Sequence, residues 1–487
     1  MAKRVSIIDI GSNSIRMVIY EKTSRFAFHL LYEVKSKVRL SQDTYENNGN
    51  LQKIPMQRTF DALRDFLCIS TSFKVRKTLC VATSALRNAP NKQDFIQKVR
   101  KQLDLNIKVI TGEKEAYLGA VACANLLPPQ HNALSIDIGG GSSELSLINN
   151  TTVNDTLSLE LGTIRLKELY FDKNNIHDAI NFIDKELEKI TSVNASKLIG
   201  IGGTLRALSI GIMQRKKYPL NKVHAFEYTR MELLEYIALI LQANTKELKE
   251  LGIKKNRFDI IKPGALILQR LLLKHETIKR IITSGVGVRE GVFLSDLLRN
   301  SKNTFPSNYS TSMRYILDSN VHNSNFSNNI AKVSKIIFHL LQNHLHIDTQ
   351  YSRELSIASK LFPAGSNIHF YSQNRHSYYL VKSALEYGFT HTQIMLIATL
   401  TRYAKNKPTS KKHLKKYEDL LPDERTLHIL NYILSLSIAL LAHKPRNIDF
   451  EISFKEGDLS INSKENLFLS KEAVKKVHTL ENLKVIF

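Results

Sequence analysis

Two segments of the sequence repeat one pattern: an apolar run, an aspartate, Ile-Gly, small polar residues and a second apolar run. The first occupies residues 6–20 and the second residues 133–148. Each pattern predicts a β-hairpin with a tight polar turn. Two ordinary hairpins would be the simpler interpretation, but the shared Asp-Ile-Gly and turn serine favour a duplication. We therefore expect two facing halves with a ligand cleft between them.

The turn of the second hairpin indicates anion and metal binding. Asp137 ends a buried strand, where a carboxylate needs a cation or a hydrogen-bond donor as partner. The glycines 139–141 that follow allow positive φ angles and let backbone N–H groups approach an anion. Glu144 opens the return strand. The sequence predicts a phosphate cradle with a divalent-metal ligand on either side.

Strands alternate with helical patterns through most of residues 1–300, and further glycine turns follow strands at 200–204 and 284–287. This order indicates an α/β protein whose ligand binds at the strand ends. Thr83, Ser84 and Arg87 stand where a strand meets a helix, which suits either anion contact or simple N-capping. From spacing alone, Glu113 and Glu115 serve only the helix dipole.

The formal net charge of +24 favours a polyanionic partner, such as nucleic acid, phosphorylated nucleotides, polyphosphate or a membrane surface. A generally basic proteome would also explain it. No interleaved aromatic and basic stretch or recognition helix stands out, so specific nucleic-acid binding is not expected. No apolar run is long enough to span a membrane, and three cysteines without a signal segment suit a reducing cytoplasm.

The remainder of the chain reads as helical. Residues 300–329 are rich in Asn and Ser, and we place a linker at 300–312. A lysine-rich run at 405–416 is interpreted as a solvated loop rather than a polyanion groove. We expect four domains, at residues 1–125, 126–300, 313–445 and 446–487, the last with short strands around one helix.

These motifs together resemble the exopolyphosphatase/guanosine-pentaphosphate phosphatase (Ppx/GppA) family. The matching segments follow the family order over roughly residues 5–295: 9–14 with Arg16, 82–83 with Arg87, 111–116, 137–144, 200–206 and 284–291. The resemblance implies a duplicated actin-like (ribonuclease H-like) α/β fold with an interdomain cleft. It also implies an all-α, HD-like domain in the C-terminal half of long members, followed by a small α+β unit.

The resemblance implies a role for each matching residue. Glu115 becomes the catalytic base, which replaces the helix-dipole interpretation, while Arg16 and Arg87 neutralise charge on the transferred group. Asp137 and Glu144 would hold Mg²⁺. The residues implied in phosphate binding are Asp9, Gly11, Ser12, Asn13, Ser14, Thr83, Gly139, Gly140, Gly141, Ser142 and Arg257. One departure is Lys114, where many members carry a second acid.

The HD-like match is degenerate. Residues 361–365 read Leu-Phe-Pro-Ala-Gly where members usually carry Leu-His-Asp, and Asn329 stands near the position of the upstream histidine. His376 survives, but a lone histidine is more often structural. We therefore predict no second metallophosphohydrolase site, and expect this region to help bind substrate and form a homodimer.

The expected function is Mg²⁺-dependent removal of the terminal phosphate from inorganic polyphosphate, from guanosine pentaphosphate (pppGpp to ppGpp), or from both. The strong positive charge and the long form favour polyphosphate. An actin-like small-molecule kinase is one alternative, since a fold does not determine a function. A catalytically weak sensor of ppGpp or polyphosphate is another. The retained Glu115, Asp137 and Glu144 favour the hydrolase.

Overall fold

A computed structural model of the chain describes residues 4–44, 46–190, 194–405, 408–480 and 483–487. The chain forms two compact units, Met1–Tyr309 and Ser310–Phe487. No helix among the described residues combines the length and the apolar character that crossing a bilayer requires. The four predicted domain ranges stay a prediction.

The first half of unit one is a five-stranded sheet in the order β3-β2-β1-β4-β5. Its strands are β1 (Arg4–Ile10), β2 (Ile15–Lys22), β3 (Phe28–Ser36), β4 (Lys77–Ala82) and β5 (Ile107–Val109). Its helices are α1 (Lys53–Ser72), α2 (Ser84–Arg87), α3 (Lys92–Leu103) and α4 (Gly112–Leu126). The apolar runs explain the strands, because Ile7, Ile8 and Ile10 are fully buried in the core.

The second half is a six-stranded sheet in the order β10-β11-β9-β6-β7-β8. Its strands are β6 (Ala133–Ile138), β7 (Ser143–Asn149), β8 (Thr152–Leu159), β9 (Lys197–Ile201), β10 (Phe226–Thr229) and β11 (Arg280–Thr283). Its helices are α5 (Thr163–Leu169), α6 (Ile176–Leu187), α7 (Gly202–Arg215), α8 (Arg230–Gln242), α9 (Thr245–Glu250), α10 (Ile261–Lys274) and α11 (Val288–Leu297).

The two sheets share one topology. Strands β8-β7-β6-β9-β11 repeat the order β3-β2-β1-β4-β5, with the same antiparallel hairpins and the same parallel pairs. The second sheet adds only the antiparallel edge strand β10. This repetition confirms the duplication predicted from the two hairpins.

Helix α11 ties the second half to the first. The Tyr20 hydroxyl of β2 donates a hydrogen bond to Glu290 of α11, and the rings of Tyr20 and Phe293 lie 4.6 Å apart. These buried contacts join β2 of the first half to α11 of the second, and a tightly packed aromatic pair stabilises this arrangement.

The second unit is helical with a small sheet at its end. Its helices are α12 (Thr311–Asn320), α13 (Ser324–Leu341), α14 (Tyr351–Leu361), α15 (Gln373–Ala384), α16 (His391–Tyr403), α17 (Lys411–Lys416), α18 (Glu424–Leu440) and α19 (Phe468–Val474). The small sheet has the order β12-β13-β14, with β12 (Glu451–Lys455), β13 (Asp458–Asn462) and β14 (Lys484–Ile486).

The predicted linker at 300–312 contains the boundary between the two units and lies outside helices and strands up to residue 310. Its last two residues belong to α12, because the Ser310 hydroxyl caps this helix at Met313 N–H and Ile316 is buried. The prediction for the lysine run is wrong. The lysine run was expected to be a loop, but Ser410 caps the short helix α17, whose His413 is buried. Residues 406–407 of that run lie outside the described residues.

The degenerate HD-like positions have structural contacts. The Asn329 amide is buried and donates to the carbonyls of Pro445 and Arg446, each at 3.2 Å. Gly365 N–H donates to Ser377 Oγ at 2.9 Å. The HD-like assignment itself stays a prediction.

Candidate active site

The two hairpin turns have the same geometry. Gly11 N–H donates to Ser14 O at 3.3 Å, and Gly139 N–H donates to Ser142 O at 2.9 Å. The strand register places Asp9 opposite Arg16 in the first hairpin and Asp137 opposite Glu144 in the second. The repeated hairpin therefore presents a carboxylate and a cation from one half, and two carboxylates from the other.

The two turns meet across the cleft. A Cβ built on Gly140 would lie 3.0 Å from the Ser12 Cβ. The first N–H groups of α5, from Thr163 and Ile164, donate to the carbonyls of Gly139 and Gly140 at 3.0 and 2.8 Å. These bonds occupy the carbonyls of the turn. Within the described part of the chain, the N–H groups of Gly140 and Gly141 have no such partner, which leaves them able to bind an anion.

The cleft encloses about 170 Å³ and is lined by residues of both halves. It brings together fourteen of the sixteen sequence-predicted site residues: Asp9, Gly11, Ser12, Asn13, Ser14, Arg16, Thr83, Glu115, Asp137, Gly139, Gly140, Gly141, Ser142 and Glu144. The Thr83 side chain makes no capping hydrogen bond to α2, so simple N-capping does not account for it.

Glu144 is a deeply buried acid, and Asp137 is partly buried. Burial raises the pKa of Asp137 to about 6, against the opposing effect of the Arg206 charge. Burial raises the pKa of Glu144 to about 7, although hydrogen bonds from Ser142 and Ser158 favour its ionised form. The Ser158 hydroxyl donates to Glu144 Oε1 at 3.0 Å. Arg87 Nη2 lies 3.8 Å from Glu144 Oε1, but burial still outweighs this charge in its effect on the pKa of Glu144.

Glu115 lies in the first turn of α4, with only 12% of its side chain exposed. Burial raises its pKa well above the ordinary value, the nearby Glu144 charge adds to this, and Arg87 opposes it. Glu113, on the same turn, is exposed, and its own backbone N–H and Thr111 lower its pKa. The structure thus separates two acids that sequence spacing could not distinguish.

Arg87 stands behind Glu115 and does not line the cleft. Its Nη1 donates to Glu115 Oε2 at 2.9 Å and to the Ile110 carbonyl at 3.1 Å. Its Nη2 donates to Ser142 Oγ at 3.3 Å. The sequence prediction assigned Arg87 to the transferred group, and that role stays a prediction. In the structure its guanidinium contacts Glu115 and the second turn.

Two arginines that the site prediction omitted line the cleft beside Arg16: Arg206 and Arg289. Arg289 Nη1 lies 2.7 Å from Glu33 Oε1, which also lies 3.4 Å from Arg16 Nη1. Burial, with repulsion from Arg16 and Arg289, lowers the pKa of Arg206 to about 10. Such crowding of like charges favours binding of an anion. Both residues belong to motifs that carried the family resemblance, and this was the available signal.

Arg257, predicted to bind phosphate, lies outside the residues that line the cleft. Its Nη2 is 2.3 Å from the position of a Cβ on Gly203, at the start of α7. Burial and the Arg16 charge lower its pKa. It therefore stands beside the cleft, where it adds to the positive potential.

The cleft presents two carboxylates of the kind that bind Mg²⁺ in proteins. Among the described residues, no group of three or more His, Cys, Asp or Glu side chains could hold a metal. Mg²⁺ is usually held by one or two carboxylates together with water and substrate phosphates. Asp137 and Glu144 lie opposite each other on the paired strands β6 and β7 and line the same cleft, so they have the chemistry to supply those carboxylates.

The two repeated sheets and the cleft between them define the duplicated actin-like fold that the sequence predicts. The chain belongs to the Ppx/GppA phosphatase family: the family model matches residues 18–300, and the model of domain III of these phosphatases matches residues 315–483. The resemblance drawn from the motifs is thereby confirmed, and so is the predicted fold class apart from its HD-like detail.

The chain is also similar in sequence to part of a larger bifunctional enzyme. The chain is 30% identical over 286 residues to a bifunctional 3-dehydroquinate synthase/phosphatase of Fusobacterium nucleatum, a match that covers 54% of this chain and 42% of that protein. The chain thus spans less than half the length of that relative.

Solved structures show the same fold. The Aquifex aeolicus member of the Ppx/GppA family is 28% identical with a TM-score of 0.54, covering 62% of this chain and 99% of that one. An exopolyphosphatase of Cytophaga hutchinsonii is 24% identical with a TM-score of 0.56, covering 62% of this chain and 100% of that one. The second likeness concerns the fold alone.

Proposed function

We propose that this phosphatase is a Mg²⁺-dependent hydrolase that removes the terminal phosphate from inorganic polyphosphate, from guanosine pentaphosphate, or from both. The observation that carries the proposal is the position of Glu115: a buried acid, held by Arg87, facing two anion-binding turns in one cleft. A terminal phosphoryl group bound by the turns would lie next to this carboxylate.

Phosphate binding follows from the backbone and the arginines. Phosphoryl transfer depends mainly on positioning and on neutralising the phosphate oxygens. Gly140 and Gly141 line the cleft beside the Ser12 turn, and their N–H groups have no backbone acceptor among the described residues. Arg16, Arg206 and Arg289 line the same space. Because these groups are fixed by the fold, they need little reorganisation when the substrate binds.

Attack by water requires removal of a proton, and Glu115 is the proposed base. Its raised pKa makes the ionised carboxylate a stronger base than an exposed glutamate. Arg87 keeps one carboxylate oxygen occupied at 2.9 Å, which orients the other towards the cleft. A positioned base of this kind contributes about 10²- to 10⁴-fold in rate.

Asp137 and Glu144 are the proposed ligands of Mg²⁺. When bound, the ion would neutralise phosphate charge and help to orient the substrate. Gly202 backs Asp137 and Ser158 holds Glu144, so each carboxylate has a fixed orientation before the ion binds.

The net charge of +24 supports a substrate with many phosphates and inclines the proposal towards polyphosphate. The proposal includes a cytoplasmic homodimer in which the second unit helps to bind substrate, as the family resemblance implies.

Phosphate release from long-chain polyphosphate and from pppGpp, each with Mg²⁺ and with EDTA, tests the proposal. We expect Mg²⁺-dependent release from at least one substrate. Release from polyphosphate alone would define an exopolyphosphatase, and comparable release from both a dual enzyme. No release from either, with tight binding retained, would contradict the hydrolase and leave a sensor.

A further inference from the structure

A second concave space lies at the opposite end of β1 from the cleft. Arg4 begins the strand and lines this space, whereas Asp9 lines the cleft. The two residues are about 17 Å apart at roughly 3.3 Å per strand residue. The space encloses about 380 Å³, within the range of small-ligand sites. None of its lining residues belongs to the proposed active site. We call it the rear pocket.

Cationic side chains dominate the rear pocket. Only one of the described residues lining it, Asp296, is acidic. Lys77 and Arg299 share this carboxylate at 2.5 and 3.3 Å, and Arg4 pairs with Glu21 at 2.7 Å. Among the described residues, six cationic side chains line the pocket against the carboxylates of Asp296 and Glu21, so the net charge of this region is positive. The cations that line the pocket are Arg4, Lys22, Arg25, Arg76, Lys77 and Arg299.

Packed side chains and a backbone hydrogen bond support the walls of the pocket. Phe293 is only 1% exposed, and Arg4 Nη1 donates to the Phe73 carbonyl at 2.8 Å. The Arg25 guanidinium lies 4.9 Å from the centre of the Phe26 ring, which itself packs on Tyr309 at 5.7 Å. The cations therefore come from several elements: the starts of two strands, a hairpin loop and the end of α11.

We infer that the rear pocket binds a short run of phosphates, either a segment of inorganic polyphosphate or the phosphate chain of a nucleotide. Concave basic walls concentrate a multiply charged anion, and guanidinium groups match phosphate oxygens in pairs. A single monovalent anion would neutralise only a small part of this positive charge. The inference goes beyond the proposed hydrolysis and does not depend on it.

Equilibrium binding tests the inference, with tripolyphosphate and guanosine triphosphate as separate probes. EDTA is present so that Mg²⁺-dependent turnover is suppressed. The pocket variant carries Arg25→Gln and Arg299→Gln, because both side chains are exposed and removing their charge should not disturb the core. The control carries Lys246→Gln and Lys249→Gln, which remove the same charge from exposed positions outside the pocket.

We expect two binding events in the wild type and in the control for at least one probe. In the pocket variant, one event should weaken about fivefold to tenfold, from the loss of two exposed ionic contacts. If the double variant unfolds, Arg299→Gln alone should weaken that event about threefold. The tighter probe identifies the source of the phosphates. A pocket variant that binds both probes as the control does would overturn the inference.

Phosphate release measured on the same variants separates the two proposals. If phosphate is released but the wild-type protein shows only one binding event, the rear-pocket inference is wrong and the proposed hydrolase is supported. Absence of release, with an event that the pocket variant selectively weakens, supports the rear pocket and contradicts the hydrolase.

Discussion

Gly202, the first residue of α7, offers a sharp test of the site geometry. Its φ of +85° lies in the left-handed region, and a Cβ built there would come within 2.3 Å of Asp137 Oδ1. The substitution Gly202→Ala therefore has two consequences, backbone strain and displacement of the proposed metal ligand.

The two consequences have different magnitudes. The left-handed conformation costs an alanine about 1–2 kcal/mol of folding free energy. To regain an ordinary contact distance, the Asp137 carboxylate must withdraw by about 1 Å, and a misplacement of that size costs about 10²-fold in rate. Gly202→Ala should thus lower kcat about 100-fold while the free energy of unfolding falls by only about 1–2 kcal/mol.

The control is Gly49→Ala in the same unit. Gly49 has a φ of +78°, and its Cβ would make only an ordinary 3.5 Å contact with Pro90. Both variants are compared by denaturant unfolding and by steady-state phosphate release. We expect similar losses of stability and a loss of activity in Gly202→Ala alone. Wild-type activity in a folded Gly202→Ala protein would refute the assignment of Asp137.

Three further predictions each concern one side chain. Arg87→Lys cannot reproduce the bonds to Ile110 O, Glu115 and Ser142, so kcat for phosphate release should fall about 10- to 100-fold with little change in KM; an unchanged kcat would contradict a positioning role. Glu33→Gln should raise KM several-fold by loosening Arg289, bound at 2.7 Å, and a KM equal to the wild type would contradict this. Burial, with the Arg402 charge, lowers the pKa of His413 to about 4, below the ordinary 6.5. Between these two pKa values His413 is protonated in the unfolded chain but not in the folded protein, which favours unfolding. The contribution of His413 to the free energy of unfolding should therefore be complete above pH 6.5 and fall by about 1–2 kcal/mol towards pH 4, after allowance for screening. Thermal unfolding at pH 7 and 5 checks this, and His413→Asn should remove that part of the slope.

Much of the fold of unit one could be predicted from the sequence, because its apolar runs and glycine turns have the same positions in the tertiary structure that their local patterns indicate. The apolar runs before Asp9 and Asp137 are buried strands, and the glycine turns lie where two halves meet. Helix α12 was missed because it lies within residues 300–329, which are rich in Asn and Ser. The helix is stabilised by the Ser310 cap and by the burial of Ile316.

The site was less predictable because charge roles depend on contacts distant in sequence. Arg289 lies beside Glu33, a neighbour 256 positions away, so nothing local distinguishes it from a solvated arginine. Spacing likewise placed Glu113 and Glu115 on one helical turn without indicating which is buried. The family resemblance supplied that choice, and it also suggested a role for Arg87, which contacts Glu115 and Ser142.

The measurement closest to the central claim compares Glu115→Gln with Glu113→Gln. Both changes remove one carboxylate from the first turn of α4, but only Glu115 faces the cleft. Single-turnover phosphate release from polyphosphate and from pppGpp, at saturating enzyme with Mg²⁺, isolates the chemical step. We predict a loss of about 10²- to 10⁴-fold for Glu115→Gln and near wild-type release for Glu113→Gln. Equal rates in the two variants would contradict the role of Glu115 as the base.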